Sequence, residues 1–162
     1  MDIGMVRAAI GPESVERVKC TGLYVWVDMG QPGQPVLYIG KSGNVARRTS
    51  NERVWTEQFR DARDRGNTLW YSAGCALSPV LAAARQPQAM MWAMEEAEAA
   101  AAETALIRLA AMTGATPPAQ GGGWGWGRGD QAQSPQRVHE LLNEWFTAGH
   151  AVHSTAGFAT GR

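Results

Sequence analysis

The sequence has no excess of charge, little cysteine and no long apolar run, and each absence excludes a class of protein. Its 15 Lys and Arg residues balance 15 Asp and Glu residues, so no global basic field attracts nucleic acid, and any such binding needs a local patch. The two cysteines, Cys20 and Cys75, form no CxxC pair, which predicts reduced, buried thiols and a cytoplasmic protein. No apolar run approaches the length of a membrane span, and the first residues lack the pattern of a secretory signal.

The residues that are present are sufficient for one folded domain. Of the 162 residues, 44% are hydrophobic and 19% are charged, an ordinary globular balance apart from 19 glycines and seven tryptophans. The periodic segments predict an α+β fold in the order β-β-α-β-α-α, with a small antiparallel three-stranded sheet flanked by helices and an added C-terminal helix. The predicted divisions are an N-terminal extension, a core domain, a Gly/Trp-rich loop, the C-terminal helix and a flexible tail: residues 1–17, 18–120, 121–133, 134–147 and 148–162.

The strands are predicted from short β-branched and aromatic runs. Residues 23–27 and 36–39 are such runs, and residues 28–34 between them are dense in glycine and proline. This pattern favours an antiparallel hairpin. A third strand is predicted at residues 68–73, whereas residues 1–11 are predicted to be loosely held.

Two helices of the core domain are predicted from apolar periodicity and end signals. The first follows Asn44, which can cap it, and ends at the Gly-Asn pair of residues 66–67. The second covers residues 90–112 and is rich in alanine and glutamate. Residues 74–88 are ambiguous, because a Ser-Pro pair favours a helix start while a later proline interrupts it.

Residues 35–48 combine a strand, a glycine turn and the start of a helix. Gly40 and Gly43 interrupt the strand, and Asn44 follows as the helix cap. This arrangement brings three polar side chains to one end of a sheet, where a phosphate can be bound: Tyr38, Lys41 and Arg48.

The long second helix carries a glutamate on its apolar side. Projection at 100° per residue puts Glu103 on the face that also contains Ala99, Leu106, Ile107 and Ala110. A carboxylate that faces inward needs a partner, and Mg²⁺ suits it because this ion prefers carboxylate oxygen and keeps several waters. The simpler alternative is that Glu103 lies at the edge of the face and reaches solvent. Glu96 projects onto roughly the same face and is the alternative ligand.

Together these residues resemble the GIY-YIG family of nucleases. Residues 22–24 (Gly-Leu-Tyr) and 38–40 (Tyr-Ile-Gly) are similar to the paired motif that names the family. The turn into a helix that carries Arg48 is similar to the family's next segment. Residues 103–107 are similar to the segment with its metal-binding glutamate, and residues 117–120 fall where the family ends in proline and then asparagine. A glutamine stands at that last position, so the sequence departs from the family there.

The resemblance implies a metal-dependent endonuclease that hydrolyses phosphodiester bonds in DNA. Glu103 would hold one divalent ion, Mg²⁺ or Mn²⁺, and Tyr24 would orient or deprotonate the attacking water. The pKa of a free tyrosine is about 10, and Lys41 with the metal would lower it. Arg48 would neutralise the transferring phosphate as a permanently charged donor. Tyr38 would form a hydrogen bond with Tyr24 or with the phosphate.

The resemblance covers residues 21 to about 120 and implies DNA as the partner, with no organic cofactor and no membrane. Because the net charge is zero, we expect weak, salt-sensitive affinity for plain duplex, so that a homodimer or a targeting partner would be needed. The residues expected to contact substrate beside the catalytic set are Ser42, Asn44, Arg47 and Gln120.

Each assignment has a simpler structural alternative. Tyr24 and Tyr38 are good strand formers that can be packed aromatic residues. Arg48 can be a solvated helix residue, and a slip of one position would exchange it with Arg47, while Lys41 can simply follow a turn. At the level of function, the alternatives are a nucleic-acid-binding or protein-interaction module without turnover, and an enzyme that acts on RNA or another phosphodiester.

Overall fold

The computed structural model describes residues 1–14, 18–66 and 77–120. Within them the chain forms an α+β fold, in which a three-stranded antiparallel sheet is flanked by four helices, as predicted. The elements in chain order are α1 (Ile3–Ile10), β1 (Gly22–Asp28), β2 (Val36–Ser42), α2 (Val45–Asp64), α3 (Leu77–Ala83), β3 (Pro87–Ala93) and α4 (Glu96–Met112).

The central strand β1 is buried along its whole length, between β2 and β3. Successive side chains of a strand point to opposite faces, so β1 contributes to two cores. Leu23, Val25 and Val27 pack on one face with residues of α1 and α4, while Tyr24 and Trp26 pack on the other face with residues of α2 and α3. The candidate site residues are therefore distributed between two sides of one sheet.

The third strand of the sheet lies where the sequence pattern predicted the start of the long helix. Residues 90–93 belong to β3 and pair with β1, so the predicted helix boundary is wrong, and α4 begins at Glu96. Met90, Met91 and Trp92 are compatible with a helix by propensity, but pairing with β1 and alternating burial decide their conformation. The strand predicted at residues 68–73 lies outside the described residues.

The N-terminal residues are not loosely held, and that prediction is wrong. Asp2 caps α1 by accepting a hydrogen bond from the Met5 N–H at 2.9 Å, and Ile3 and Val6 belong to the core beside β1. Packing stabilises this eight-residue helix, which would be too short to persist in isolation. In the rest of the N-terminal extension, residues 12–14 are not helical and residues 15–17 lie outside the described residues.

Several other predictions can be compared with the described residues. The helix that follows Asn44 begins and ends as predicted, with Gly66 adopting a φ of 71° just beyond it. Cys20 is exposed, so its predicted burial is wrong, whereas Cys75 lies outside the described residues. The predicted loop, C-terminal helix and tail after residue 120 also lie outside them. In the described ranges, none of the helices combines the length and apolarity needed to cross a membrane.

Candidate active site

The two tyrosines of the paired triplets lie together over a glycine of β2. Tyr24 is directly opposite Gly40 in the ladder, and the ring centroids of Tyr24 and Tyr38 are 6.0 Å apart. A Cβ atom at Gly40 would lie 2.7 Å from Tyr38 Cε1 and 2.8 Å from the Tyr24 hydroxyl oxygen. Gly40 therefore leaves the space that the two rings occupy, so packing alone explains why a glycine stands at this position of the triplet.

Gly22 of the first triplet has a different reason. A Cβ atom there would lie 2.1 Å from the Trp92 carbonyl oxygen of β3. No flexible side chain can relieve this contact, because the neighbouring atom is backbone. Gly22 therefore allows β1 and β3 to approach at the end of the sheet where β1 begins.

Helix α2 is fixed at this end of the sheet by its first turn. The Asn44 side chain accepts a hydrogen bond from the Arg47 N–H at 2.9 Å, and the Val45 and Ala46 N–H groups donate to the carbonyls of Cys20 and Val18. Asn44 thus caps the helix, as predicted. Because these bonds fix the start of α2, the next residues on its buried face lie against the tyrosine side of β1.

A buried carboxylate at Glu52 joins the predicted residues into one cluster. Glu52 is 1% exposed, and its Oε1 accepts hydrogen bonds from the Tyr24 hydroxyl at 2.7 Å and from Arg48 Nε at 2.8 Å. Its Oε2 accepts the Trp26 indole N–H at 2.7 Å. Three donors compensate for the loss of water around this charge.

Glu52 was missed by the sequence analysis, although two signals for it exist. It lies on the buried face of α2, three residues after Thr49 and four before Thr56. In addition, a strand that buries both a tyrosine hydroxyl and an indole N–H needs an acceptor close by. Together these signals favour an acceptor on the facing helix.

The surroundings of Tyr24 raise its pKa above the ordinary value of a tyrosine. Burial is the largest cause, followed by the negative charge of Glu52 and the nearby Tyr38. This direction is opposite to the lowering expected of a residue that deprotonates water. Tyr24 is only 1% exposed, so it lies beneath the more accessible members of the cluster as a neutral hydroxyl.

Both adjacent arginines are exposed, and it is the guanidinium of Arg48 that belongs to the cluster. Burial opposes the charge on Arg48, but the adjacent Tyr24 hydroxyl and the negative charge of Glu52 outweigh that effect and raise its pKa above the usual value. The Arg48 guanidinium also lies over the Trp55 ring, 5.5 Å from its centroid. With a side chain that is 43% exposed, Arg48 is a fixed cation accessible from solvent.

Lys41 and Ser42 lie at the end of β2, on the rim of a small cavity. The cavity has a volume of about 110 Å³ and is lined by Thr21, Lys41, Ser42, Gly43, Glu96 and Ala99. Lys41 is paired with Leu23, so it is on the face of the sheet that packs against α4 and not on the face of Tyr24. Ser42 Oγ lies 3.2 Å from both the N–H and the carbonyl of Asn44, within the turn.

Glu103 is half-buried on α4, and this helix packs on the sheet face opposite to Tyr24. The apolar face that the projection identified is buried, with Ala99, Leu106 and Ala110 all 0% exposed. The carboxylate beside Tyr24 is Glu52. Over the described ranges, no group of three or more His, Cys, Asp or Glu side chains could hold a metal.

Gln120 binds the protein's own backbone at the outer edge of the sheet. Its Oε1 accepts the Ile39 N–H at 2.8 Å and its Nε2 donates to the Ile39 carbonyl at 3.0 Å. The side chain is 1% exposed and extends the ladder at the free edge of β2. Its amide therefore performs a structural task at the place where contact with substrate was predicted.

The structure thus brings together Tyr24, Tyr38 and Arg48 around Glu52, and it puts Lys41 and Ser42 in a neighbouring cavity with Glu96. Comparisons of this chain with protein-family models, with curated proteins and with solved structures found no match.

Proposed function

We propose that this protein is an endonuclease that hydrolyses phosphodiester bonds in DNA, as its resemblance to the GIY-YIG nucleases implies. One observation carries the proposal: both triplet tyrosines and the arginine that follows them meet in one cluster. These residues are well separated along the chain, and a merely packed pair of aromatic residues would need no cation at the surface.

The chemistry of the cluster supports a phosphate ligand. Arg48 is a planar cation with an accessible guanidinium, which suits the two oxygens of a phosphodiester. Tyr38 is half-buried next to Tyr24, so its side chain can contact a substrate that Arg48 binds. The neighbouring cavity holds a lysine ammonium and a hydroxyl at the same end of β2, with the lysine on the sheet face opposite to Tyr24.

A divalent ion, Mg²⁺ or Mn²⁺, is part of the proposal and would supply stabilisation of the charge that develops on the phosphoryl oxygens. The resemblance assigns it to Glu103. Glu96 is the second candidate, because it shares a cavity with Lys41 and Ser42. Separate alanine substitutions at these two glutamates distinguish them, since loss of the ligand should raise the Mg²⁺ concentration needed for cleavage.

The test is nicking of supercoiled plasmid by the purified protein, with Mg²⁺ or with chelator. Arg48→Ala should lower the rate by about 100-fold or more, because a fixed cation at the transferring phosphate is lost. Arg63→Ala is the matched control, since Arg63 is an exposed arginine near the other end of α2. Equal nicking by Arg48→Ala and wild-type protein would overturn the site.

A second candidate function is a DNA-binding module without turnover. The observation that favours it is the burial of Tyr24, whose hydroxyl donates to Glu52. Fluorescence anisotropy with labelled duplex distinguishes the two candidates: binding that depends on Arg48, with no nicking in Mg²⁺ or Mn²⁺, would support the module. Replacing the duplex by RNA of the same sequence tests the choice of DNA.

Targeting and location stay predictions. The zero net charge supports weak, salt-sensitive binding of plain duplex, and therefore a homodimer or a targeting partner. Sedimentation in low salt tests this, because a persistent monomer that binds duplex tightly would contradict it. The cytoplasmic location predicted from the cysteines is tested by fractionation of the cells that produce the protein.

A further inference from the structure

Glu52 is a buried charge for which the predicted site has no role. It is 1% exposed, and it accepts one hydrogen bond from each of three side chains on its own helix or on β1. One of these donors, Trp26, is deep in the core, and a neutral acceptor would satisfy it. The other two, Tyr24 and Arg48, are the residues that the proposed reaction uses.

The same oxygen of Glu52 receives both of those donors. Tyr24 Oη lies 2.7 Å from Oε1 and Arg48 Nε lies 2.8 Å from it. Because the Tyr24 proton points to Glu52, the hydroxyl oxygen can offer lone pairs, but no proton, to any further group. Nε of Arg48 already donates a hydrogen bond to Glu52. The two terminal nitrogens of the guanidinium are therefore the donors with which Arg48 would bind a phosphate.

We infer that Glu52 is the positioning residue of this site, which keeps Tyr24 neutral as a hydrogen-bond acceptor for a water and directs the terminal nitrogens of Arg48 outward. The inference rests on the proposed function. In this arrangement the proton of Tyr24 stays on its oxygen, so Tyr24 orients the water and does not remove its proton.

A purely structural role for Glu52 predicts something different. Loss of a structural hydrogen bond lowers the fraction of folded protein, and this loss is independent of whether residue 24 carries a hydroxyl. A positioning role acts through Tyr24, so removing the hydroxyl should make the Glu52 substitution much less harmful to the rate. Non-additive effects of two substitutions on the rate per folded molecule distinguish the two roles.

The substitution needs a clean background. In Glu52→Gln one oxygen becomes an amide NH₂, which would face either the Trp26 indole N–H or the Tyr24 hydroxyl as a second donor. Trp26→Phe removes the indole donor, so that the introduced amide can turn its oxygen to the other two residues. The cycle therefore compares four proteins. They are Trp26→Phe alone, Trp26→Phe with Tyr24→Phe, Trp26→Phe with Glu52→Gln, and the variant that carries all three substitutions. If Trp26→Phe itself prevents folding, the same cycle is measured in the protein that keeps Trp26.

Plasmid nicking per folded molecule, with the folded fraction taken from circular dichroism, is the measurement. We expect Glu52→Gln to lower the rate about 10- to 100-fold, the usual effect of removing a group that orients a site residue. In the Tyr24→Phe background the same change should have a much smaller effect, limited to the part that acts through Arg48. Glu57→Gln, an exposed glutamate on the same helix, is the matched control and should leave the rate unchanged.

Three results would overturn the inference. Equal fold-changes from Glu52→Gln with and without the Tyr24 hydroxyl would show that Glu52 does not act through Tyr24. A rate per folded molecule that Glu52→Gln leaves unchanged would give Glu52 a structural role alone. These first two results leave the proposed function intact. The third result is a wild-type protein without nicking activity in Mg²⁺ or Mn²⁺, which would remove the proposed function and this inference with it.

Discussion

Two buried carboxylates border β1, and they are held by different kinds of donor. Asp28, the last residue of the strand, is 0% exposed, and its oxygens accept three backbone N–H groups at 2.9–3.0 Å, from Gly30, Arg85 and Gln86. Glu52 is almost equally buried, but its donors are the side chains of Tyr24, Trp26 and Arg48.

The difference in donors separates a structural carboxylate from a site carboxylate. Backbone N–H groups cannot turn away, so Asp28 joins the β1–β2 loop to the segment before β3 and has no route to a ligand. The donors of Glu52 include a guanidinium that is 43% exposed, so a change at Glu52 can alter the position of a group that solvent reaches. Burial of a charge by itself does not distinguish the two cases; the accessibility of its partners does.

The largest effect on stability is expected at Asp28. Asp28→Asn leaves one oxygen for three backbone donors and introduces an NH₂ group beside them, which should lower the free energy of unfolding by about 3 kcal/mol. Urea denaturation measures this change. Nicking per folded molecule should stay at the wild-type level, and a selective loss of rate would contradict the comparison.

A smaller loss of stability is expected at Glu52. Glu52→Gln should lower the free energy of unfolding by about 1–2 kcal/mol, because Arg48 can turn to solvent and the other side-chain donors can adjust. The same urea denaturation measures this change. A loss of unfolding free energy larger than that of Asp28→Asn would mean that Glu52 is the main structural charge of the fold.

The hairpin and α2 were predictable because their signals are local. Alternation in β1, the loop of residues 28–34, the Asn44 cap and the Gly66 end all lie within a few residues of what they determine. The identity of β3 depends instead on its pairing with β1, whose residues lie 59 to 71 positions earlier in the chain, and local propensity does not report such a pairing.

The candidate site divides in the same way. Tyr24, Tyr38 and Arg48 belong to a resemblance that the sequence carries in order, and in the structure they lie in one cluster. The Glu52 contacts with Trp26 and Tyr24 span 26 and 28 positions, and no spacing rule connects those pairs, whereas the contact with Arg48 follows the i,i+4 spacing of a helix. Similarly, periodicity identified the buried face of α4 but not which side of the sheet that face would cover, so Glu103 was predicted beside Tyr24.

The two ends of β1 should also lose stability at opposite limits of pH. Burial favours the neutral acid at Asp28, but the backbone N–H groups outweigh it and lower the pKa of Asp28 below its usual value of about 4. Its contribution is thus present above that value and is lost as the pH falls. The pKa of Tyr24 is raised, so its contribution is present below about pH 10 and is lost as the pH rises further.

Urea denaturation as a function of pH tests this separation. Asp28→Asn should remove part of the decline at acid pH, and Tyr24→Phe should remove part of the decline at alkaline pH. If Asp28→Asn instead reduced the decline at alkaline pH, or Tyr24→Phe the decline at acid pH, the directions assigned to the two pKa shifts would be wrong.

The smallest effect concerns the second contact that holds Arg48. The Trp55 ring lies 5.5 Å from the guanidinium, a cation–π contact that is worth about 0.5–1 kcal/mol at an exposed site. Trp55→Leu keeps an apolar side chain on α2 but removes the ring, so Arg48 should remain bonded to Glu52 with greater freedom. We expect a nicking rate that is lower by about two- to fivefold, the rate equivalent of that free energy.

Val54→Ala is the control for Trp55→Leu, because Val54 is the neighbouring apolar residue on the same helix and is 54% exposed. It should leave the rate unchanged. A loss of about 100-fold or more in Trp55→Leu would mean that the ring, and not Glu52, fixes the guanidinium, because a weak exposed contact cannot supply so large an effect. If Trp55→Leu causes a small loss of rate in the wild-type background and none in the Glu52→Gln background, Trp55 only refines a position of Arg48 that the buried carboxylate has already determined.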